Sequence, residues 1–324
     1  MSLYQSITPD IYQVVLPLPF ALRSVNCYLL RAADGWVIID TGLNVPEARE
    51  IWQAVFAELG IGPSDLKQII LTHVHPDHFG LAGWLQVWSG AAVWASPREV
   101  ELSEQIWHAR DVPGTLLGLS GVSNVSDDMR QRMIGAIDYV RKMTLPYPQT
   151  LKILEPETTL SIGTRRWTAI HAPGHSDGQL VFYDAADRLL LCGDQVLMKI
   201  TPNIGLWPLS EPDPLGRYLT SLQQLAGLDV RLALPGHGLL ITTWQKRIGE
   251  LIGHHEDRLT AMLSTVNGKG SNVYDVCAAV FEINKLTEHE MRFALAETLA
   301  HLEYLVGQGQ LHREDRQWVY WRVV

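Results

Sequence analysis

The chain has 324 residues, 47% of them hydrophobic, with a formal net charge of −9. That length and apolarity predict a substantial core in about two domains and exclude disorder as the main state. The acidic balance argues against a dedicated polyanion binder, whose affinity would rest on Lys and Arg neutralising phosphates.

The first twenty residues lack a basic leader followed by an apolar core, and no apolar run approaches the roughly 20 residues needed to span a bilayer. A soluble cytoplasmic protein with no membrane partner is expected. Short β-rich runs bounded by Gly, Pro and Asp predict strands at Ile11 to Leu16, Asn26 to Arg31, Trp36 to Asp40, Gln68 to Thr72 and Ala92 to Ala95. Between them, Ala48, Ile51, Trp52, Val55, Phe56 and Leu59 have the spacing of a helix over Val45 to Leu59 with one buried face. From Ser96 the texture changes: a Ser cap, an early Pro and early acidic residues open one helix, and Ser126 to Met143 reads as another, so a helical insertion is expected over about 97–148. Strands resume at Leu151 to Leu154, Thr164 to His171, Leu180 to Tyr183, Arg188 to Cys192 and Val230 to Leu234, and this body ends near residue 243.

Residues 244–324 form the second expected domain. They read as a long helix from Trp244 to Thr265, a turn at NGKGS, a short helix through Val273 to Ile283 and a third helix opened by a capping box at Thr287 and Glu290. The alternating tail Gln317 to Val324 predicts a small β-wing. Three helices and a wing suggest a winged-helix-like module.

The chemistry sits in LTHVHPDHFG. His73 and His75 follow an apolar strand, where residues two apart point the same way, and Asp77 and His78 lie in the next turn. Four donor side chains within six residues suit zinc, and also iron, manganese or cobalt. Three later segments repeat the pattern of an apolar strand running into a Gly- or Pro-containing turn with one ligand-type residue: AIHAPGHS gives His175, LLLCGDQ gives Asp194 and LALPGHG gives His237. The three cysteines, Cys27, Cys192 and Cys277, are odd in number and form no CxxC pair, the usage of a reducing compartment. Cys192 is expected to be a small core residue rather than a nucleophile.

The motif HxHxDH followed by separate His, Asp and His resembles the metallo-β-lactamase superfamily over roughly residues 8–243. The resemblance implies an α/β fold, the four-layer αβ/βα sandwich, and two divalent metal ions. It implies that His73, His75 and His175 hold one metal, that Asp77, His78 and His237 hold the second, and that Asp194 bridges them. The DTG at Asp40 to Gly42 also resembles the family's pattern. Asp40 would orient a ligand histidine through a hydrogen bond behind the metal site, or it simply ends a strand.

Two cations sharing a water lower its pKa towards about 7, so the expected nucleophile is the bridging hydroxide, with Asp77 and Asp194 acting catalytically as ligands rather than as free bases. Pocket walls are expected from Trp107, Tyr139 and Met143 in the insertion and from Met198, Ile204 and Trp207 after Asp194; they imply a small-molecule substrate with an apolar portion. His108, His171, His254, His255, His289, His301 and His312 have no ligand spacing and are assigned to packing.

The C-terminal module resembles the winged-helix appendage of the subgroup that includes the lactamase-beta-like-protein-2 family and hydroxyacylglutathione hydrolase-like proteins. It carries 9 Lys plus Arg against 11 Asp plus Glu, and its third helix bears Glu288, Glu290, Glu297 and Glu303 beside Arg292. Packing or homodimer formation is expected of it in preference to nucleic-acid binding. The expected activity is hydrolysis of a thioester, ester or lactone. The alternatives are a single-strand endoribonuclease or other phosphodiesterase, and a mononuclear iron persulfide dioxygenase.

Overall fold

Apolar residues in the central strands serve two faces at once, and this two-sidedness dictates a layered sandwich. In a computed structural model describing residues 3–108, 125–266, 270–314 and 319–323, two sheets pack face to face with helices outside them. The first sheet has seven strands in sequence order: β1 (Gln5–Thr8), β2 (Ile11–Pro17), β3 (Ser24–Arg31), β4 (Trp36–Ile39), β5 (Leu66–Ile70), β6 (Ala92–Ala95) and β7 (Leu151–Ile153). Neighbours are antiparallel up to β4 and parallel from β4 to β7. The second sheet runs β12 (Leu232–Pro235), β11 (Leu189–Gly193), β10 (Leu180–Asp184), β9 (Arg165–His171) and β8 (Thr159–Ile162).

The period-2 alternation appears directly in the packing. Tyr28 and Leu30 of β3, Leu180 and Phe182 of β10, and Leu189 and Leu191 of β11 meet between the sheets. Their neighbours Cys27 and Leu29 face outward onto helix α1 (Pro46–Leu59), among Trp52, Val55 and Phe56. On the opposite side, Val181, Leu190 and Cys192 pack on α6 (Pro214–Ala226) through Leu215, Tyr218 and Leu222. Both outer faces are therefore covered, which gives the expected four layers.

Between these elements lie α2 (Pro76–Phe79), α3 (Ala82–Ser89), α4 (Pro97–Ile106) and α5 (Asp127–Lys142). Helices α4 and α5 form the expected insertion, whose central part, 109–124, lies outside the described residues. The C-terminal part contains α7 (Trp244–Thr265), α8 (Val273–Val280) and α9 (Glu288–Gly307), with a small sheet of β13 (Ser271–Asn272), β15 (Val319–Arg322) and β14 (Leu311–Glu314). The expected wing thus contains three strands rather than one tail segment; Gln317, Trp318, Val324 and most of the NGKGS turn lie outside the described residues.

Packing crosses the expected boundary at residue 243. Trp244, Ile248 and Leu251 of α7 belong to the core beneath the second sheet, whereas Met262 joins α8, α9 and the insertion residues Met133 and Ile137. Helix α7 is thus shared by both bodies. No helix among the described residues is long and apolar enough to cross a membrane.

Trp52 ties the outer layer to the strand end that carries Asp40. It is fully buried and its indole N–H donates to the Thr41 carbonyl at 2.9 Å. Trp52→Ala should lower the unfolding free energy by about 3–5 kcal/mol, measured by guanidinium denaturation of metal-free protein.

Candidate metal centre

Each predicted ligand leaves the end of a strand or the turn after it, and the sandwich brings these ends together at one edge. His73 and His75 follow β5, and Asp77 and His78 lie in α2, opened by Pro76. His175 lies between β9 and β10, Asp194 directly after β11 and His237 after β12. Donor atoms of His73, His75 and His175 lie within 4.8 Å of one another, as do those of Asp77, His78 and His237, and those of His73, His78 and Asp194. The first two groups are the two expected triads. Asp194 faces members of both, grouping with His73 and His78 and lying 3.6 Å from His175 and 3.2 Å from His237.

For four of the five rings, the side that faces the centre is set from behind. Asp40 Oδ2 lies 2.7 Å from His78 Nδ1 and accepts a 2.8 Å bond from the Thr72 hydroxyl. That hydroxyl has spent its proton, so at 2.9 Å it accepts from His73 Nδ1. One carboxylate thereby orients an imidazole from each triad, leaving both Nε2 atoms directed at the centre. Asp40 holds this position with φ +57°, a left-handed conformation that Asp tolerates better than most residues. The same logic fixes His175, whose Nδ1 bonds the Asn203 carbonyl at 2.9 Å, and His237, whose Nδ1 bonds the Ser24 carbonyl at 2.7 Å.

Inside the centre several polar atoms lack partners. His73 Nε2, His78 Nε2, His237 Nε2 and Asp194 Oδ1 are buried without a hydrogen bond. His75 Nδ1 lies 2.9 Å from His175 Nε2, and His237 Nε2 lies 3.2 Å from both Asp77 and Asp194. Converging lone pairs of nitrogen and carboxylate oxygen, already aimed and otherwise unsatisfied, fit divalent cations. Gly236 is required here because a Cβ would stand 2.2 Å from Asp194 Oδ1 and 2.7 Å from His78 Cε1.

The electrostatics divide the centre. Burial, followed by His78 and His75, drives His73 well below its ordinary pKa; burial and His175 bring His75 to about 3; burial lowers His175. Against burial, Asp194 and Asp40 push His78 well up, and Asp194 with Asp77 pushes His237 up to about 10. Asp77 and Asp194, despite burial, are held low by His78 and His237. Without metal, the first triad is therefore neutral and ready to ligate, while the second is an imidazolium–carboxylate cluster that must lose protons first.

Sequence reasoning missed Glu99. This buried carboxylate accepts from Val74 N at 2.8 Å, from Gly178 N at 2.9 Å and from the Ser176 hydroxyl, so it ties the His73–His78 loop to the His175 loop. Burial pushes its pKa to about 7 despite these bonds. Ser96-x-x-Glu99 reads locally as a capping box, and Ser96 does cap α4, but the Glu99 side chain turns to the ligand loops instead.

The expected pocket residues separate. Trp107, Met143 and Ile204 are buried in packing and do not line an open wall; the Trp107 indole donates to the Val74 carbonyl at 3.0 Å and so braces the ligand loop. Tyr139 is 55% exposed on α5, and Met198 packs on the core beneath the second sheet. Trp207 is half-buried and lies edge-on to Phe293 of α9 at 5.7 Å. Cys192 is buried and its thiol is pushed up by burial, as expected of a core residue.

The metallo-beta-lactamase superfamily model matches residues 21–237, and the metallo-beta-lactamase-like C-terminal domain model matches 259–323. The chain belongs to the metallo-beta-lactamase superfamily. It is 27% identical to the probable metallo-hydrolase YqjP of Bacillus subtilis (strain 168), covering 93% of both chains. It is 28% identical to the acyl-coenzyme A thioesterase MBLAC2 of Gallus gallus, over 65% of this chain and 72% of that one. A crystal structure of a metallo-beta-lactamase family protein from Thermus thermophilus superposes with a TM-score of 0.87 at 32% identity, covering 98% of this chain and all of that one (100%). The chain is therefore a metallo-hydrolase-type protein with a divalent-metal site.

At pH 7, filling the Asp77, His78 and His237 half should displace about two protons, from His78 and His237, while the neutral triad releases none. Calorimetry of metal-free protein in buffers of different ionisation enthalpy reads that number, and affinity of this half should fall as pH drops. Glu99→Gln places an amide donor against backbone donors; metal affinity should weaken about 10- to 100-fold, measured by chelator competition.

Proposed function

We propose that this protein is a dinuclear metal-dependent hydrolase acting on an acyl thioester, with related esters and lactones as close substrates. The convergence of two ligand triads on Asp194, with unpartnered ring nitrogens aimed inward, is the observation that carries this reading. Two triads also argue for two metals, zinc foremost with iron or manganese as alternatives, over the single iron of a persulfide dioxygenase.

Divalent cations held by His73, His75, His175, Asp77, His78, His237 and Asp194 would supply an activated water nucleophile and Lewis-acid polarisation of the substrate carbonyl. The protein's share is orientation. Asp40 and Thr72 hold His73 and His78 in the ligating tautomer, Glu99 fixes the distance between two ligand loops, and Asp77 and Asp194 serve as ligands. With these side chains committed, a leaving group that departs unprotonated suits the site. A thiolate does so, since an ordinary thiol pKa is about 8.5, whereas an amine requires a proton donor.

The thioesterase name of the chicken relative supports the same choice. Packing also weighs against nucleic acid, because α9, the natural recognition helix, buries Met291 and an unbroken run from Ala294 to Leu302, so its central turns offer no face to a groove. Hydroxyacylglutathione hydrolase-like chemistry falls within this proposal.

The test is a substrate panel with metal analysis. Zinc-replete protein should hydrolyse acyl thioesters, and Asp77→Asn and His175→Ala should each lower kcat at least about 100-fold with loss of one metal equivalent. Cleavage of single-stranded RNA without thioester turnover, or full activity in chelator-stripped protein, would overturn the reading.

A further inference from the structure

Arg292 on α9 is a shielded guanidinium with no carboxylate partner among the described residues. Four other shielded arginines are paired: Arg165 with Asp10 and Asp184, Arg98 with Asp177, Arg247 with Glu250 and Arg258 with Glu297. Arg292 instead lies 4.2 Å from the ring centre of Phe293 and 5.5 Å from that of Trp207, with Nη2 3.4 Å from His289 Nδ1. Its Nε is buried and bonds to nothing. A carboxylate would raise an arginine's pKa, as at Arg165 and Arg98, but burial brings Arg292 down to about 10. Burying an unpaired charge is expensive, so this arrangement calls for a compensating anion.

Its position says where that anion comes from. His289, one turn earlier, stacks on Phe20 of the β2–β3 turn at 4.8 Å, and among the influences on it, after burial and Arg292, is the Asp77 carboxylate. Asn203, whose carbonyl orients His175, bonds through its side chain to the Phe293 carbonyl at 3.3 Å. Arg292 therefore belongs to the group of side chains that joins α9 to the rim of the metal centre.

We propose that Arg292, with His289 beside it and Trp207 and Phe293 as walls, is an anion subsite that takes a carboxylate or phosphate carried by the substrate away from the bond cleaved. The planar guanidinium offers paired donors to either group, and the aromatic faces accept the apolar segment between anion and scissile carbonyl. This deepens the thioesterase reading and rests on it for the identity of the bond.

Binding of non-hydrolysable thioethers to the zinc-loaded protein tests the subsite without turnover. S-butyl-N-acetylcysteamine is neutral, S-butylglutathione carries carboxylates and S-butyl-coenzyme A carries phosphates. The wild type should bind one of the two anionic ligands at least about 10-fold more tightly than the neutral one, and which one identifies the source. Arg292→Gln should weaken the preferred ligand about 10- to 100-fold and leave the neutral ligand and metal content unchanged; Arg292→Lys should retain part of the preference. No preference in the wild type, a preference that survives in Arg292→Gln, or equal weakening of neutral and anionic ligands overturns the subsite. The matching thioesters, assayed in parallel, separate the two readings. Arg292-dependent anion binding without turnover refutes the thioester bond alone, and turnover with KM indifferent to Arg292→Gln refutes the subsite alone.

Discussion

Converging lone pairs are the constraint around which this molecule is organised. Five imidazoles and two carboxylates share one buried volume, and four of their inward atoms, His73 Nε2, His78 Nε2, His237 Nε2 and Asp194 Oδ1, are left without a hydrogen bond. His75 and His175 present nitrogens to each other at 2.9 Å, and His73 and His78 direct Nε2 atoms into the same space without partners. In water each would be solvated; buried, each unpaired group costs about 1–3 kcal/mol. A fold that tolerates this must be stable elsewhere and must hold the groups rigidly enough that a cation, once bound, repays all of them together.

The sandwich supplies that rigidity in two ways. Its inter-sheet core, from Ile11 through Leu234, fixes the strand ends from which the ligands spring. Residues that never reach the centre then fix four of the five rings, those of His73, His78, His175 and His237. Asp40 serves a histidine of each triad, one directly and one through Thr72, so a single side chain governs the relative aim of both halves. Glu99 does the same for backbone, joining loops about a hundred residues apart in the chain. Its raised pKa measures how strongly burial opposes the carboxylate that holds these loops.

Legibility in the sequence followed how local the determining physics is. Strands β2, β3, β10 and β11 were readable because short β-rich runs and Gly, Pro or Asp stops are properties of a few neighbouring residues, and the ligands because they recur at the ends of such strands. The capping box of α9 was equally local, and Thr287 and Glu290 form it as expected. Helix α6 was missed although Asp213 and Pro214 mark its start and Leu215, Tyr218, Leu222 and Leu225 give it a buried stripe. Trp107, Met143 and Ile204, expected as pocket walls, are instead buried in packing, and the reason they were not legible is different. Nothing local tells whether a Trp beside an active-site loop faces solvent or braces the loop from behind, and Trp107 does the latter. Glu99 shows the converse, a residue with a sufficient local explanation whose actual partners come from distant segments.

The C-terminal part was expected to pack or to pair with another copy, and within the chain it packs against the loop that aims His175. Asn203 accepts His175 on its carbonyl and spends its side chain on α9, at the Phe293 carbonyl and Glu297. Leu206 N bonds the Ala296 carbonyl, and a Cβ at Gly205 would crowd Ala296. The loop that aims one ligand therefore rests on a helix whose opposite side is packed by α5, α7 and α8. A displacement of α9 would be felt at His175 through two hydrogen bonds. The C-terminal part thus belongs to the same mechanical unit as the centre, which explains why α7 is shared between the two cores and is not a linker.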